Sequence, residues 1–333
     1  MTPDRDGKKE GGASQDVVVS RDAIPGSDGS NQTAGVLLVL ASAAAGAFYF
    51  LVGAHLVKPG TGVSVRSFTL VLYVWASGFC MAGVLVSKRG ALARVAMKQV
   101  AFNVGIGLVF AASVVLAFAS VQFLAPASAA FMFRTNVLFT LAFGFFFLGE
   151  RLAGAEWFAA FSVVTGVGCL FGVAESADPR GLMMALGSAL CAAIYQLLAK
   201  RSLGSVPAFV VNAYRNVGAC VAFLIYSLVF GLGWPPMTAK IHACIVLAAF
   251  IGPFLHSQLY LEALSRLDLM KAALLQQTQP VFVLGFSYLI SVFIPRLSYR
   301  SPTALELLGD ILILIGVLLL VRSRAGKKKT KAP

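Results

Sequence analysis

The chain has 333 residues, of which 58% are hydrophobic and only 12% are charged, and its net charge is +13. Soluble domains carry about 25% charged residues, so the composition excludes an ordinary soluble protein and predicts an all-α integral membrane protein. The basic residues lie in short connections and in the final "RSRAGKKKTKAP", without interleaved aromatic residues. This placement favours contact with anionic lipid and excludes nucleic acid as a partner.

Residues 1–33 are polar and mixed in charge, which predicts a disordered tail. The apolar runs that follow are each about as long as a membrane-spanning helix. Ten spans are predicted before a basic tail at 322–333: 34–56, 68–86, 99–120, 126–148, 154–174, 181–199, 208–231, 240–262, 270–293 and 304–321. Turn and charge signals such as "KPGTG", "SADPRG" and "GWPP" separate them.

The distribution of Lys and Arg predicts the topology. Ten spans put both termini on one side of the membrane, and most of the basic residues in the connections and tails fall on that side. The opposite side carries only Lys58, Arg66, Arg180, Lys240, Arg296 and Arg300. Since cytoplasmic loops are enriched in basic residues, both termini are expected in the cytoplasm. The cell membrane is the expected location, and a eukaryotic endomembrane is the alternative.

An internal repeat relates the two halves of the chain. "ASAAFMFRTNVLF" (127–139) aligns with "MKAALLQQTQPVF" (270–282) at a shift of about 143 residues, and 156–168 aligns with 306–318 at about 150. This shift is half of the ten-span core, and five spans are an odd number, so the repeats must have opposite orientation. The sequence therefore predicts two inverted five-helix repeats, at 34–174 and 175–321, with a substrate site near the midplane between them.

Arg134 is the main candidate for a substrate-binding residue. It follows Pro126 by eight residues, which places it about 12 Å into the fourth span. A charge at this depth usually marks a transport pathway, and a guanidinium there attracts an anionic group. The alternative is a structural charge satisfied by backbone carbonyl groups or by Asp310. In the repeat, Arg134 aligns with Gln277 and Asn136 with Gln279.

Further polar residues in the predicted spans complete the candidate site. Gln276, Gln277 and Gln279 come from "QQTQP" in the ninth span, while His256 and Tyr260 share one stripe of the eighth. Asn136 joins these as a substrate-binding candidate. Asp310 is a candidate either for pairing with Arg134 or for carrying a proton. Glu150 ends the fourth span, where an ion pair between the halves is the preferred interpretation; proton coupling through His256 or Asp310 stays open.

The segment "LFTLAFGFFFLGERLAGAEWFAAFSVVTGVG", together with "GLMMALGSALCAAIYQLLAKRSL" and Tyr214-Arg215, resembles the EamA-type drug/metabolite transporter superfamily. The resemblance covers residues 34–322 and implies ten helices in two repeats that transport small metabolites. One departure is "SVFIPRL", which stands where a second Leu-Gly-Glu is expected. The superfamily carries amino acids, nucleotide sugars, phosphorylated metabolites and cationic drugs, so the resemblance does not select the cargo.

These observations predict a secondary transporter for a small polar metabolite, with an anionic group, that works by alternating access. A non-transporting membrane scaffold or accessory protein is the alternative. An enzyme is not expected, since the usual catalytic motifs are absent. The five cysteines lack metal spacing, so neither a metal nor a cofactor is expected. The expected partners are the substrate and the lipid bilayer, and a homodimer is left open.

Overall fold

The computed structural model of the protein describes residues 29–57, 63–87, 95–120, 123–124, 132–171, 178–231, 237–293 and 304–329. Helices dominate this part of the chain, as the composition predicts. They are α1 Gly29–Leu56, α2 Val65–Ser87, α3 Met97–Ser120, α4 Asn136–Leu148, α5 Gly154–Phe171, α6 Pro179–Ser202, α7 Ala208–Val229, α8 Ala239–Arg266, α9 Leu269–Gln276, α10 Gln279–Phe293 and α11 Ala304–Lys329. Among the described helices, six are long and apolar enough to cross a membrane, and Met132–Leu148 is a shorter apolar helix.

Two helices, α1 and α11, extend clearly beyond one end of their predicted spans. The helix α1 begins at Gly29, inside the segment predicted to be a disordered tail, whose residues 1–28 lie outside the described part of the chain. The helix α11 continues to Lys329, so much of the predicted basic tail prolongs the last helix. The added residues, 29–33 in α1 and 322–329 in α11, contain no proline that would stop the helix at the predicted boundary.

The predicted ninth span is divided into α9 and α10 by a turn at Gln277 and Thr278. Pro280 favours the break, because it has no N–H to donate to the carbonyl of Gln276. The fourth span has the same break at Thr135, 143 residues earlier. In each turn the threonine N–H and hydroxyl both donate to the carbonyl three residues before, Met132 in one case and Leu275 in the other.

The helices pack in a regular set of pairs. The helix α1 contacts α8, α9 and α10, while α6 contacts α3 and α4. The helices α3 and α7 cross closely, and α2 packs against both α7 and α8. The remaining prominent pairs are α4 with α9 and α5 with α11. The core between these helices is built from aliphatic and small residues such as Ala213, Ala263 and Leu274, all fully shielded from solvent.

The pair α5 and α11 is antiparallel and very closely packed. An added Cβ on Gly166 would lie 2.6 Å from the carbonyl oxygen of Gly309, and one on Gly316 would lie 2.7 Å from that of Ala159. Between these two contacts, the hydroxyl of Ser162 donates to the carbonyl of Leu312 at 2.7 Å. Only glycine allows the backbones to approach this closely, as at other helix interfaces in membranes.

Candidate functional site

Arg134 lies in the helical turn before the break of the fourth span, half-buried among α4, α10 and α11. Its Nη1 donates to Oε1 of Gln279, the first residue of α10, at 3.4 Å. Asp310 of α11 is 6% exposed and close enough for its charge to stabilise the guanidinium. The break in each span therefore brings Arg134 and Gln279 into contact at the first turns of α4 and α10.

Gln279 also lies beside His256 of α8. A Cβ placed on Gly46 of α1 would be 3.2 Å from Nε2 of Gln279 and 2.8 Å from Nδ1 of His256. Both side chains therefore rest against the same position of α1, where only glycine leaves room for them. We refer to Arg134, Gln279, His256 and Ser42 as the central polar site.

His256 is fixed to α1 by reciprocal hydrogen bonds with Ser42. The hydroxyl of Ser42 donates to the carbonyl of His256 at 2.9 Å, and Nδ1 of His256 lies 2.7 Å from the carbonyl of Ser42. Because a carbonyl only accepts hydrogen bonds, Nδ1 carries the proton. In the neutral ring Nε2 is then an acceptor, and no described residue donates a hydrogen bond to it, so it has the chemistry to bind a donor or to take up a proton.

Tyr260 belongs to a neighbouring network rather than to the central polar site. Its hydroxyl donates to Oε1 of Gln196 on α6 at 3.2 Å, and Thr140 of α4 donates to the same oxygen at 3.3 Å. His256 and Tyr260 therefore contact different helices, because α8 passes between α1 and α6. Their spacing predicts that the two side chains share one site, whereas in the structure they belong to two separate polar networks.

The other predicted amides surround the two helix breaks. Gln277 is 3% exposed, and its Nε2 donates to the carbonyl of Ala273 in its own helix. The side-chain oxygens of Asn136, Gln276 and Gln277 accept no hydrogen bond from the described residues. In the described part of the chain none of these three hydrogen-bonds to Arg134, so their role in binding stays a prediction.

Glu150 lies far from the central polar site, at the end of the bundle where α1 begins. Its two carboxylate oxygens accept hydrogen bonds from the N–H groups of Leu269 and Met270, at 2.7 and 2.8 Å. The carboxylate thus caps the N-terminus of α9 across the two halves, instead of forming the predicted ion pair. Burial raises the pKa of Glu150 above its usual value, although these N–H donors and Lys200 oppose the shift.

Charged residues close this end of the bundle around Glu150. Lys271 forms ion pairs with Glu156 of α5 at 3.2 Å and with Asp268 at 2.9 Å. The Nζ of Lys200 donates to the carbonyls of Leu264 and Leu267, at 2.7 and 2.6 Å. We call these residues the closed end: Glu150, Glu156, Lys200, Asp268 and Lys271. It lies about 15 Å from Gln279 along α9 and α10, estimated at 1.5 Å per residue.

Sequence reasoning missed Ser42 and Gly46, which lie in the small-residue run "ASAAAGAF" and differ from their neighbours by no pattern. It also missed Gln196, a single polar residue of α6. No group of three or more His, Cys, Asp or Glu side chains that could hold a metal ion occurs in the described part of the chain. An apolar cleft on α3 and α7, lined by Leu108, Ala111 and Ala222, contains none of the predicted site residues.

Comparison with known proteins identifies the second half of the chain. Residues 179–322 match the EamA-like transporter family, while no curated protein matches the chain. A solved crystal structure aligns with 92% of this chain and 100% of its own, with a TM-score of 0.68 and 19% sequence identity, which shows that the two share a fold. The protein is therefore an integral, multi-pass membrane protein whose residues 179–322 match the EamA-like transporter family, in agreement with the resemblance seen in the sequence.

Proposed function

We propose that the chain is a secondary transporter which moves a small polar metabolite with an anionic group by alternating access between two inverted five-helix repeats. Arg134 at the paired helix breaks is the observation that carries this proposal. The matched family is a family of transporters.

The pairing of helices supports two repeats, 34–174 and 175–321, related by a two-fold axis. When the halves are exchanged, α1 corresponds to α6, α2 to α7 and α3 to α8. The contact of α1 with α8 then corresponds to that of α6 with α3, and the contact of α3 with α7 corresponds to that of α8 with α2. The close contacts of α5 and α11 are exchanged in the same way, because Gly166 and Ala159 correspond to Gly316 and Gly309 at the shift of 150. Their antiparallel course favours an axis in the membrane plane, and thus inverted repeats.

The electrostatics of the paired breaks favours an anionic group. The helices α4 and α10 begin at Asn136 and Gln279, so their N-termini, which carry partial positive charge, lie beside Arg134. Broken helices with N-termini directed to the substrate's anionic group are a recurrent arrangement in secondary transporters. Asp310 balances the guanidinium in the absence of substrate, and an incoming carboxylate or phosphate competes with it.

The closed end supports alternating access. Glu150 and Glu156 from the first half bind Leu269, Met270 and Lys271 from the second, so these bonds close one route to the central polar site. Because they join the halves through a few polar contacts, they are suited to break when the halves rock apart. We propose that this conformation is closed toward the side of the termini, which the distribution of basic residues predicts to be cytoplasmic.

Uptake by proteoliposomes tests the function. Purified wild-type protein and the Arg134→Gln variant are reconstituted and supplied with radiolabelled carboxylates, phosphorylated metabolites, amino acids and organic cations. We expect saturable uptake of at least one compound with an anionic group and its loss in Arg134→Gln. The control Arg151→Gln, at an exposed position at the other end of α4, should retain the uptake. Uptake of organic cations alone, unaffected by Arg134→Gln, would contradict the proposal.

A further inference from the structure

The helix α8 contains a π-helical segment, Phe250–His256, with Pro253 inside it. Longer i→i+5 segments are rare, and π-helical turns are frequent at functional sites. Proline removes one N–H donor from the helix and so leaves a carbonyl group of the preceding turn without its usual partner. His256 is the last residue of the segment, so the segment sets the direction in which the imidazole leaves α8.

Three side chains of α7 bind the carbonyl groups of this segment. Asn212 donates to the carbonyl of Phe254 at 3.2 Å, while Arg215 and Asn216 both donate to that of Pro253 at 3.3 Å. All three side chains are at most 1% exposed. The three residues lie on one face of α7, because in "NAYRN" Arg215 and Asn216 follow Asn212 by about one helical turn. We call Asn212, Arg215 and Asn216 the α7 latch.

The buried charge of Arg215 makes the latch unusual. Among the described residues its guanidinium donates to neutral oxygens, the amide of Asn212 at 3.0 Å and the carbonyl of Pro253, and it lies 4.7 Å from the ring centroid of Phe110. A buried ion is often replaceable by apolar residues without loss of stability, so stability alone is a weak explanation for it. A better explanation is that Arg215 fixes the position of the carbonyl groups to which it donates.

We propose that the α7 latch holds the segment in its π-helical form and thereby positions His256 against Ser42 in the central polar site. Without these donors, the segment relaxes toward the ordinary i→i+4 pattern. A shift by one residue then rotates the imidazole by about 100° around the helix axis, away from the carbonyl of Ser42. The importance of the imidazole's position for transport rests on the proposed function. The position of the imidazole against Ser42 does not depend on that function.

Nitrogen-15 NMR of histidine-labelled, full-length protein in lipid nanodiscs measures the position directly. The chain has three histidines, so the signals of His256 are assigned by comparison with His256→Gln. In wild-type protein we expect the form protonated on Nδ1, which donates to Ser42. In Asn216→Ala and Arg215→Gln the ratio of the Nδ1–H to the Nε2–H form should fall about threefold or more, as for the loss of one interhelical hydrogen bond.

Asn103→Ala is the matched control. Asn103 is as buried as Asn216, but it binds Gln99 and Ser202, away from α8. Its loss should lower the thermal stability and leave the His256 ratio unchanged. If the two latch variants do not fold, Asn216→Ser, which keeps a donor, and Arg215→Lys, which keeps the charge, should give intermediate ratios.

An unchanged ratio in folded latch variants, or an equal change in Asn103→Ala, would overturn the latch. A shifted ratio supports it even if no tested anion is transported, because the NMR signal needs no substrate. Conversely, anion uptake that depends on Arg134 supports the proposed function even if the latch fails.

Discussion

In the proposed arrangement of two repeats, the crossing of α1 with α8 is equivalent to the crossing of α6 with α3, but the two crossings carry different side chains. In the second, Ser113 and Ser188 each donate to the other's carbonyl, at 2.9 and 2.7 Å, and both are almost completely buried. In the first, Ser42 and His256 make the same reciprocal bonds, but the imidazole reaches Gln279 and the central polar site. We therefore expect the shared bonds to stabilise the fold, and the difference between the two crossings to form the candidate site.

The same contrast applies to the helix breaks. Arg134 and Gln277 come directly before the equivalent threonines, Thr135 and Thr278. Of the two side chains, among the described residues, only that of Arg134 forms a hydrogen bond with the opposite half. The described part of α3 has no π-helical segment, whereas α8 has one at the equivalent depth. Function is therefore expected to depend on residues that break the symmetry, and stability on residues that obey it.

The largest effect is expected for Arg134→Gln, which gives both halves an amide at this position. Loss of a hydrogen bond to a charged group costs about 1.5–3 kcal/mol, so the apparent affinity for an anionic substrate should fall by roughly 10- to 100-fold. Arg134→Lys should recover only part of this affinity, because lysine lacks the planar guanidinium that binds an anionic group through two hydrogen bonds. Adding Gln277→Arg to Arg134→Gln should give no rescue, because Gln277 faces its own helix. Saturation curves of uptake measure all of these, and rescue by Gln277→Arg would contradict the asymmetry.

The symmetric glycines should have equal effects on stability. Both Gly166→Ala and Gly316→Ala force a methyl group into a backbone carbonyl of the partner helix, which costs about 1–3 kcal/mol in a packed core. Thermal unfolding in detergent should show similar losses for both variants. Gly168→Ala is the control, since its added Cβ would meet no atom within 4 Å. A large loss for only one of the two glycines would argue against a two-fold relation between α5 and α11.

Glu150→Gln should weaken the closed end. A carboxylate at a helix N-terminus contributes up to about 2 kcal/mol in a partly buried site, and Phe293 occupies the equivalent position in the second repeat. We expect a lower melting temperature and faster labelling of a cysteine introduced at Gln279, as this end opens more often. Arg151→Gln should change neither quantity. An unchanged labelling rate in Glu150→Gln would show that Glu150 does not control the opening of this end.

His256→Ser makes the crossing of α1 with α8 resemble that of α3 with α6. Serine can keep the reciprocal bond to α1, so melting should change little, while the loss of the imidazole next to Gln279 should reduce the substrate affinity by up to about tenfold, as for one neutral hydrogen bond. Parallel melting and uptake curves separate the two properties. Full affinity in a stable His256→Ser variant would restrict His256 to a structural role.

The smallest effect is expected for Ser113→Ala. Hydrogen bonds between helices in membranes average about 0.6 kcal/mol, so the loss of its donor should lower stability slightly. Uptake should remain unchanged, because Ser113 lies outside the central polar site. A clear loss of uptake in folded protein would show that the two crossings are more alike in function than in composition.

The apolar runs of the sequence predict the helical membrane fold, and the alignment of Thr135 with Thr278 predicts the two repeats that we propose. Arg134 is a candidate from the sequence because a charge in an apolar run is conspicuous, and its role in binding stays a prediction. The break at Gln277 and Thr278 could have been predicted from Pro280, and the disturbance of α8 from Pro253. Ser42, Gly46 and the capping of α9 by Glu150 could not, because they depend on contacts between distant segments that only the packing of α1, α8 and α9 creates.

Counterflow in proteoliposomes tests the central claim most directly. Vesicles are preloaded with an unlabelled anionic substrate, and a trace of the labelled compound is added outside. A carrier that alternates between two states exchanges internal for external substrate, so the label should rise transiently above its equilibrium level in wild-type vesicles and not in Arg134→Gln vesicles. Label that approaches equilibrium without this overshoot, or an equal overshoot in Arg134→Gln, would contradict alternating access at Arg134.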